Sequence, residues 1–187
     1  MLDFAAAFPQ GLPYHEFLKR YGSDAHRRRW GTVYDRVQLK PEQLALLSGF
    51  KRQMKVLCLT GAWCKESTNQ CPIFQRFVET APSIEIRYFD RDERPDLQAE
   101  LRICGGNRIP VVVFLSEDDK FLGLYGERTL AEYRQMAAEP AGAACTITHV
   151  PMQQTLLDDI TQHWLNEFER MQLMLRYSGR LRQLHGD

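Results

Sequence analysis

The strongest constraint on the fold is an alternation of short apolar runs with longer amphipathic stretches between Met54 and Ala138. Met54–Thr60 (MKVLCLT) ends at Gly61 and has the length and texture of a buried strand. Roughly Cys64 to Thr80 then reads as a helix with Ile73, Phe74, Phe77 and Val78 on one side. Ile84–Asp90 (IEIRYFD) alternates as a second strand. Pro95 opens a short helix through Leu97, Leu101 and Ile103, which Gly105-Gly106 stops. Val111–Leu115 is a third, fully buried strand, Ser116–Lys120 an acidic turn, Phe121–Tyr125 a fourth strand, and Glu127–Ala138 a closing helix. The order β-α-β-α-β-β-α defines an α/β unit, and the short link between its last two strands requires an antiparallel hairpin.

The flanks are helical in texture. Residues 1–50 form an N-terminal helical extension. Tyr14–Tyr21 carries Phe17, Leu18 and Tyr21 at helical spacing, and Arg27-Arg28-Arg29 beside Trp30 reads as a solvated helix face. Pro41 suits a first helical position, with Leu44, Leu46, Leu47 and Phe50 as a buried stripe. Residues 51–138 hold the α/β unit, and 139–152 read as a connector. Residues 153–187 read as one long helix, in which Leu157, Ile160, Trp164, Phe168, Met171 and Leu175 recur at steps of three and four. Such a stripe needs a partner surface, either the chain's own core or a second protein, so an oligomer through this helix stays open. Arg176, Arg180 and Arg182 suit the negative end of a helix dipole.

Composition narrows the function classes. At 187 residues, a single domain with an appendage fits better than two cores. Lys plus Arg and Asp plus Glu number 24 each, so no dominant basic footprint for nucleic acid is expected. No apolar run approaches the ~20 residues that cross a bilayer, and no membrane partner is expected. The first residues lack the basic segment of a secretory signal, and the five cysteines are an odd number. Together these point to a reducing, cytoplasmic setting. Histidines 15, 26, 149, 163 and 185 are scattered without zinc-type spacing, so neither a metal nor another cofactor is expected.

The segment Trp63-Cys64-Lys65-Glu66-Ser67-Thr68-Asn69-Gln70-Cys71-Pro72 carries the chemistry. It sits where a strand ends and a helix begins. A cysteine there faces unpaired N–H groups at the positive end of the helix dipole, which predicts a low-pKa, attackable thiolate at Cys64.

The apolar strand, the Trp63-Cys64 pair, the element order, Pro72 and the Arg108-Ile109-Pro110 loop before an apolar strand together resemble the thioredoxin family. The resemblance covers roughly residues 50–138. It implies a thioredoxin-like fold, a central mixed sheet flanked by helices, here with N- and C-terminal helical extensions. It also implies that Ile109–Pro110 is cis and faces Cys64, with Trp63, Ile109 and Pro110 helping to hold an extended substrate.

Two departures stand out. The family's second active-site cysteine is replaced by Ser67, which cannot resolve a mixed disulfide. The family's buried acid, six residues before the first cysteine, is replaced by Cys58. Cys71 and Cys104 are candidate resolving residues. Cys71 lies two helical turns, ~10 Å, beyond Cys64, whereas a disulfide needs Cα atoms within about 7 Å, so Cys71 requires the first turn to unwind. Cys104 requires a mobile Gly105-Gly106 turn. Cys58 and Cys71 otherwise read as buried hydrophobes that touch.

Two functions follow. One is a monothiol thiol-disulfide oxidoreductase, with Cys64 as nucleophile, Ser67 donating a hydrogen bond to it, a protein or small-molecule disulfide as substrate and an external thiol as reductant. The other is a redox-inactive module that binds a partner protein through the same groove.

Overall fold

The computed structural model describes residues 3–138 and 152–187. Helices α1 (Phe4–Ala7), α2 (Tyr14–Tyr21), α3 (Asp24–Arg36) and α4 (Pro41–Ser48) precede strand β1 (Met54–Thr60). Helix α5 (Lys65–Thr80) leads to β2 (Ile84–Asp90), and α6 (Pro95–Glu100) to β3 (Val111–Ser116) and β4 (Phe121–Gly126). Helices α7 (Leu130–Ala138), α8 (Gln154–Arg176) and α9 (Gly179–His185) complete the described chain.

The strands form one mixed sheet in the order β2-β1-β3-β4. β1 runs parallel to β2, which demands a crossover, and α5 supplies it. β1 pairs antiparallel with β3, and β3 with β4, as the short link between the last two strands requires. β1 and β2 have the predicted limits, and β3 and β4 each extend one residue further. The outer edge of β2 is covered by Leu12, which exchanges two backbone hydrogen bonds with Tyr88 at 3.0 and 2.8 Å.

Alternate residues of the strands face opposite layers. Val56, Cys58, Ile84, Ile86, Tyr88, Val112 and Phe114 point into the larger core, which α2, α3, α5 and α8 close with Phe17, Trp30, Phe74, Phe77, Trp164 and Phe168. Leu57, Leu59, Phe89, Val111, Val113 and Leu115 point into a smaller core with Phe8, Leu97, Leu101 and Ile109. Cys64 belongs to that smaller core, and Cys71 to the larger one.

All six residues of the α8 stripe, from Leu157 to Leu175, are buried against the chain's own core. Phe168 makes edge contacts with Phe77 and Phe114, and Trp164 with Phe74. No described helix is long and apolar enough to cross a membrane.

Several expectations are corrected. The C-terminal helix is broken after Arg176, because the Ser178 hydroxyl accepts from the Leu181 N–H and starts α9. The helix expected from Glu127 begins at Leu130, because Thr129 and Glu132 form a capping box in which the Thr129 N–H donates to Glu132 Oε2 at 2.8 Å. The helix expected to reach Ile103 ends at Glu100, since Ile103 instead closes a tight turn with Gly106 across Cys104 and Gly105, both at positive φ. On α4, Leu47 is buried but Leu44 is exposed. The connector expected at 139–152 lies outside the described residues except for Met152, and Cys145 and His149 lie there too.

Candidate active site around Cys64

β1 ends at Thr60, and residues 61–63 turn the chain so that Cys64 becomes the N-cap of α5, with its N–H donating to the Gly61 carbonyl at 3.0 Å. The turn is held from outside the α/β unit. Trp30 of α3, wholly buried, donates its indole N–H to the Ala62 carbonyl at 3.0 Å. Trp63 stands 47% exposed with the Arg91 guanidinium 4.7 Å above its ring. The same guanidinium donates to the Asn107 carbonyl at 3.2 Å, tying the Trp63 turn to the loop that precedes β3.

That loop contains the expected cis Ile109–Pro110 bond. The Cys64 Sγ lies 3.7 Å from the Ile109 carbonyl oxygen, so the structure brings together the sulfur and the proline loop. Gly126, at the end of β4, is packed against this loop so closely that a Cβ there would lie 2.6 Å from the Pro110 carbonyl oxygen.

The expected thiolate is corrected. Cys64 is 5% exposed, and its pKa is pushed up to about 11, chiefly by burial. The Ser67 amide and hydroxyl face the sulfur and pull the other way, while Glu66 pushes further up. The resting sulfur is a thiol whose single hydrogen has two acceptors in reach, Glu66 Oε2 at 3.4 Å and the Ile109 carbonyl at 3.7 Å. Favourable amides at the helix start do not compensate for the water lost around an anion. Ser67 is fully buried, and its hydroxyl completes no hydrogen bond.

Glu66 introduces a network that sequence reasoning missed. Its carboxylate is paired with Arg128 at 2.5 Å, and Arg128 also holds Glu127 at 2.6 Å. Arg108 meets the same Glu127 oxygen at 2.7 Å, and the Tyr133 hydroxyl donates to it at 3.1 Å. Burial alone would raise the Glu66 carboxyl, yet its own backbone N–H, Arg128 and the Cys64 thiol hold it below the usual carboxylate range. Behind this network Gln70 donates to the Glu127 carbonyl at 2.8 Å and accepts from the Trp164 indole at 2.9 Å. No sequence signal joins Glu66 to Arg128. The Thr129-Leu130-Ala131-Glu132 capping pattern, by contrast, was available to be read.

Neither candidate resolving cysteine is brought to Cys64. α5 is continuous from Lys65, and Cys71 points into the other core, with its Sγ 3.9 Å from Cys58 Sγ and 3.5 Å from Thr60 Oγ1. Cys104 is exposed in the 103–106 turn. All four described cysteines are free thiols, and burial places Cys58 far above its ordinary pKa. Among the described residues no cluster of three or more His, Cys, Asp or Glu side chains is placed to hold a metal ion.

The sheet order, the crossover helix and a cysteine at its N-cap facing a cis-proline loop define a thioredoxin-like domain. The chain belongs to the thioredoxin family, whose model matches residues 11–139 and so takes in α2–α4 as well as the sheet. It is similar to a Pseudomonas aeruginosa protein of unknown function, at 18% identity and a TM-score of 0.70, covering 91% of this chain and 97% of that one. An HIV epitope-scaffold matches over the same shares, at 18% identity and a TM-score of 0.69. At that identity the likeness is one of fold. No curated protein matches the chain.

Proposed function

We propose that this protein carries out single-thiol disulfide exchange at Cys64. The observation that supports the reading is the 3.7 Å approach of Cys64 Sγ to the Ile109 carbonyl of the cis-proline loop. A substrate chain pairing with that loop presents its disulfide to the sulfur. Cys64 first loses its proton to solvent base. The thiolate attacks one sulfur of a disulfide R–S–S–R′, forming Cys64–S–S–R and releasing R′–S⁻, which takes up a proton. An external thiol G–SH, as its thiolate, then attacks the substrate sulfur, giving G–S–S–R and returning Cys64. The net reaction is R–S–S–R′ + G–SH → G–S–S–R + R′–SH. Ser67 stabilises the thiolate stage through its N–H and hydroxyl and takes no part in resolution. Trp63 and Pro110 flank the substrate chain.

The test is turnover of a mixed-disulfide peptide with a small thiol as reductant. Turnover lost in Cys64→Ser, and kept when Cys71 and Cys104 are replaced by Ala, is expected. Equal turnover in Cys64→Ser overturns the reading.

One observation favours the second reading, a binding module without redox chemistry: the near-complete burial of a protonated Cys64. On that reading an extended peptide binds wild type and Cys64→Ser equally, and neither turns over a disulfide.

A further inference from the structure

Glu66 is an acid placed where it works against the ionisation of the cysteine two residues before it. We propose that Glu66, clamped by Arg128, is a positioning residue that adds to burial in keeping the resting Cys64 protonated and so tunes the reactivity of the site. The inference rests on Cys64 being the reacting atom of the proposed exchange.

The geometry is specific. The thiol donates to Glu66 Oε2 at 3.4 Å, while Glu66 Oε1 is taken by Arg128 at 2.5 Å, so one carboxylate serves both partners. The Glu66 and Arg128 side chains are only 22% and 19% exposed, so water screens their charges weakly. Arg128 is fixed in turn by Glu127, which is itself buried and shared with Arg108 and Tyr133. The segment bearing Glu127 and Arg128 is pinned by the Thr129–Glu132 cap and by Gln70.

The charged groups around the sulfur therefore have defined signs. From α5 come Glu66 beside it and Lys65, which is exposed. From the segment before α7 comes Arg128, with Glu127 and Arg108 behind it. Across the Trp63 turn lies Arg91, engaged with Trp63, Asp92 and Asn107. Of these only Glu66 meets the sulfur directly. A carboxylate there accepts the thiol proton as a hydrogen bond and repels the thiolate, so it favours the protonated form on both counts. Arg128 offsets part of that repulsion and keeps the carboxylate in place.

Two substitutions should therefore act in opposite directions, which loosened packing alone would not produce. The experiment is alkylation of the folded full-length protein with iodoacetamide from pH 6 to 11, with the Cys64 adduct read by peptide mass spectrometry separately from exposed Cys104. Glu66→Gln keeps the acceptor and removes the charge, and is expected to speed Cys64 alkylation at pH 8 by tenfold or more. Arg128→Gln leaves the carboxylate without its cation and is expected to slow alkylation several-fold below wild type. The double variant should follow Glu66→Gln. Should Arg128→Gln fail to fold, Arg128→Lys keeps the cation and should stay within threefold of wild type. Alkylation in Glu66→Gln equal to or slower than wild type, or both single variants shifting the same way, overturns the proposal. Because alkylation reads the thiol itself, the expected pattern without disulfide turnover would sink the exchange reading and leave the role of Glu66 standing.

Discussion

Trp30 donates its indole N–H to the carbonyl of Ala62 at 3.0 Å, so a helix of the N-terminal extension holds the turn that delivers Cys64 to α5. Both partners are buried, so removing the donor leaves the carbonyl away from bulk water. Trp30→Phe leaves the Ala62 carbonyl unsatisfied and opens a small void, at an expected cost of about 2–4 kcal/mol. Urea unfolding should register that loss. The freed turn should also expose Cys64, so its alkylation at pH 8 rises while that of exposed Cys104 stays unchanged. A stability loss with unchanged Cys64 reactivity would mean that Trp30 supports the core and not the site.

The raised pKa of Cys64 fixes the sign of its pH dependence. With a value of about 11, the thiolate fraction grows about tenfold per pH unit between 7 and 10. Exchange and alkylation rates should follow with a slope near one and no plateau below about pH 10. A plateau near pH 7 would show an activated thiolate and contradict the buried-thiol geometry.

The same burial makes the folded protein sensitive to base. Cys64, Cys58 and Tyr88 are all raised, in each case chiefly by burial, and Tyr14 is raised as well. Between the unfolded value of a thiol, about 8.5, and its folded value, the native state binds more protons than the unfolded one. Stability from these groups is fully present below the unfolded pKa and is lost as pH rises toward the folded pKa. Each contributes a loss of up to about 1.4 kcal/mol per pH unit in its window. The urea midpoint should therefore fall steadily from pH 8.5 to 10.5, and a flat midpoint over that range would contradict the assignment.

Much of the fold was legible in local pattern. The limits of β1 and β2 follow from apolar runs that end at Gly61 and at the charged segment after Asp90, and the α8 stripe follows from its three-four spacing. The proline loop was legible through resemblance, since Arg108-Ile109-Pro110 stands just before a buried strand. What failed did so because it depended on distant partners or on solvent. The thiolate expectation rested on the helix start, but the sulfur's burial comes from residues such as Ile109 that reach it through the tertiary fold. Glu66 and Arg128 meet across 62 residues, and Trp30 reaches Ala62 across 32. The break before α9 had a local signal, Ser178-Gly179, which the long apolar stripe obscured.

Ser67 provides the test of how much dithiol machinery remains. Its hydroxyl is buried without a hydrogen-bond partner, a cost that Ser67→Ala removes. That variant should be as stable as wild type or up to about 1 kcal/mol more stable. It should nonetheless alkylate more slowly at Cys64, because the hydroxyl that lowers the thiol's pKa is gone. Ser67→Cys places a second sulfur in the same pocket, one helical turn from Cys64 and facing it. Under mild oxidation that variant should lose about 2 Da as the introduced sulfur bonds to Cys64, and it should reduce substrate disulfides without mixed disulfide accumulating on Cys64. If no such bond forms while the protein stays folded, the pocket does not hold sulfurs at positions 64 and 67 in bonding geometry. The proposed single-thiol exchange would then rest on the shape of the pocket as well as on serine at position 67.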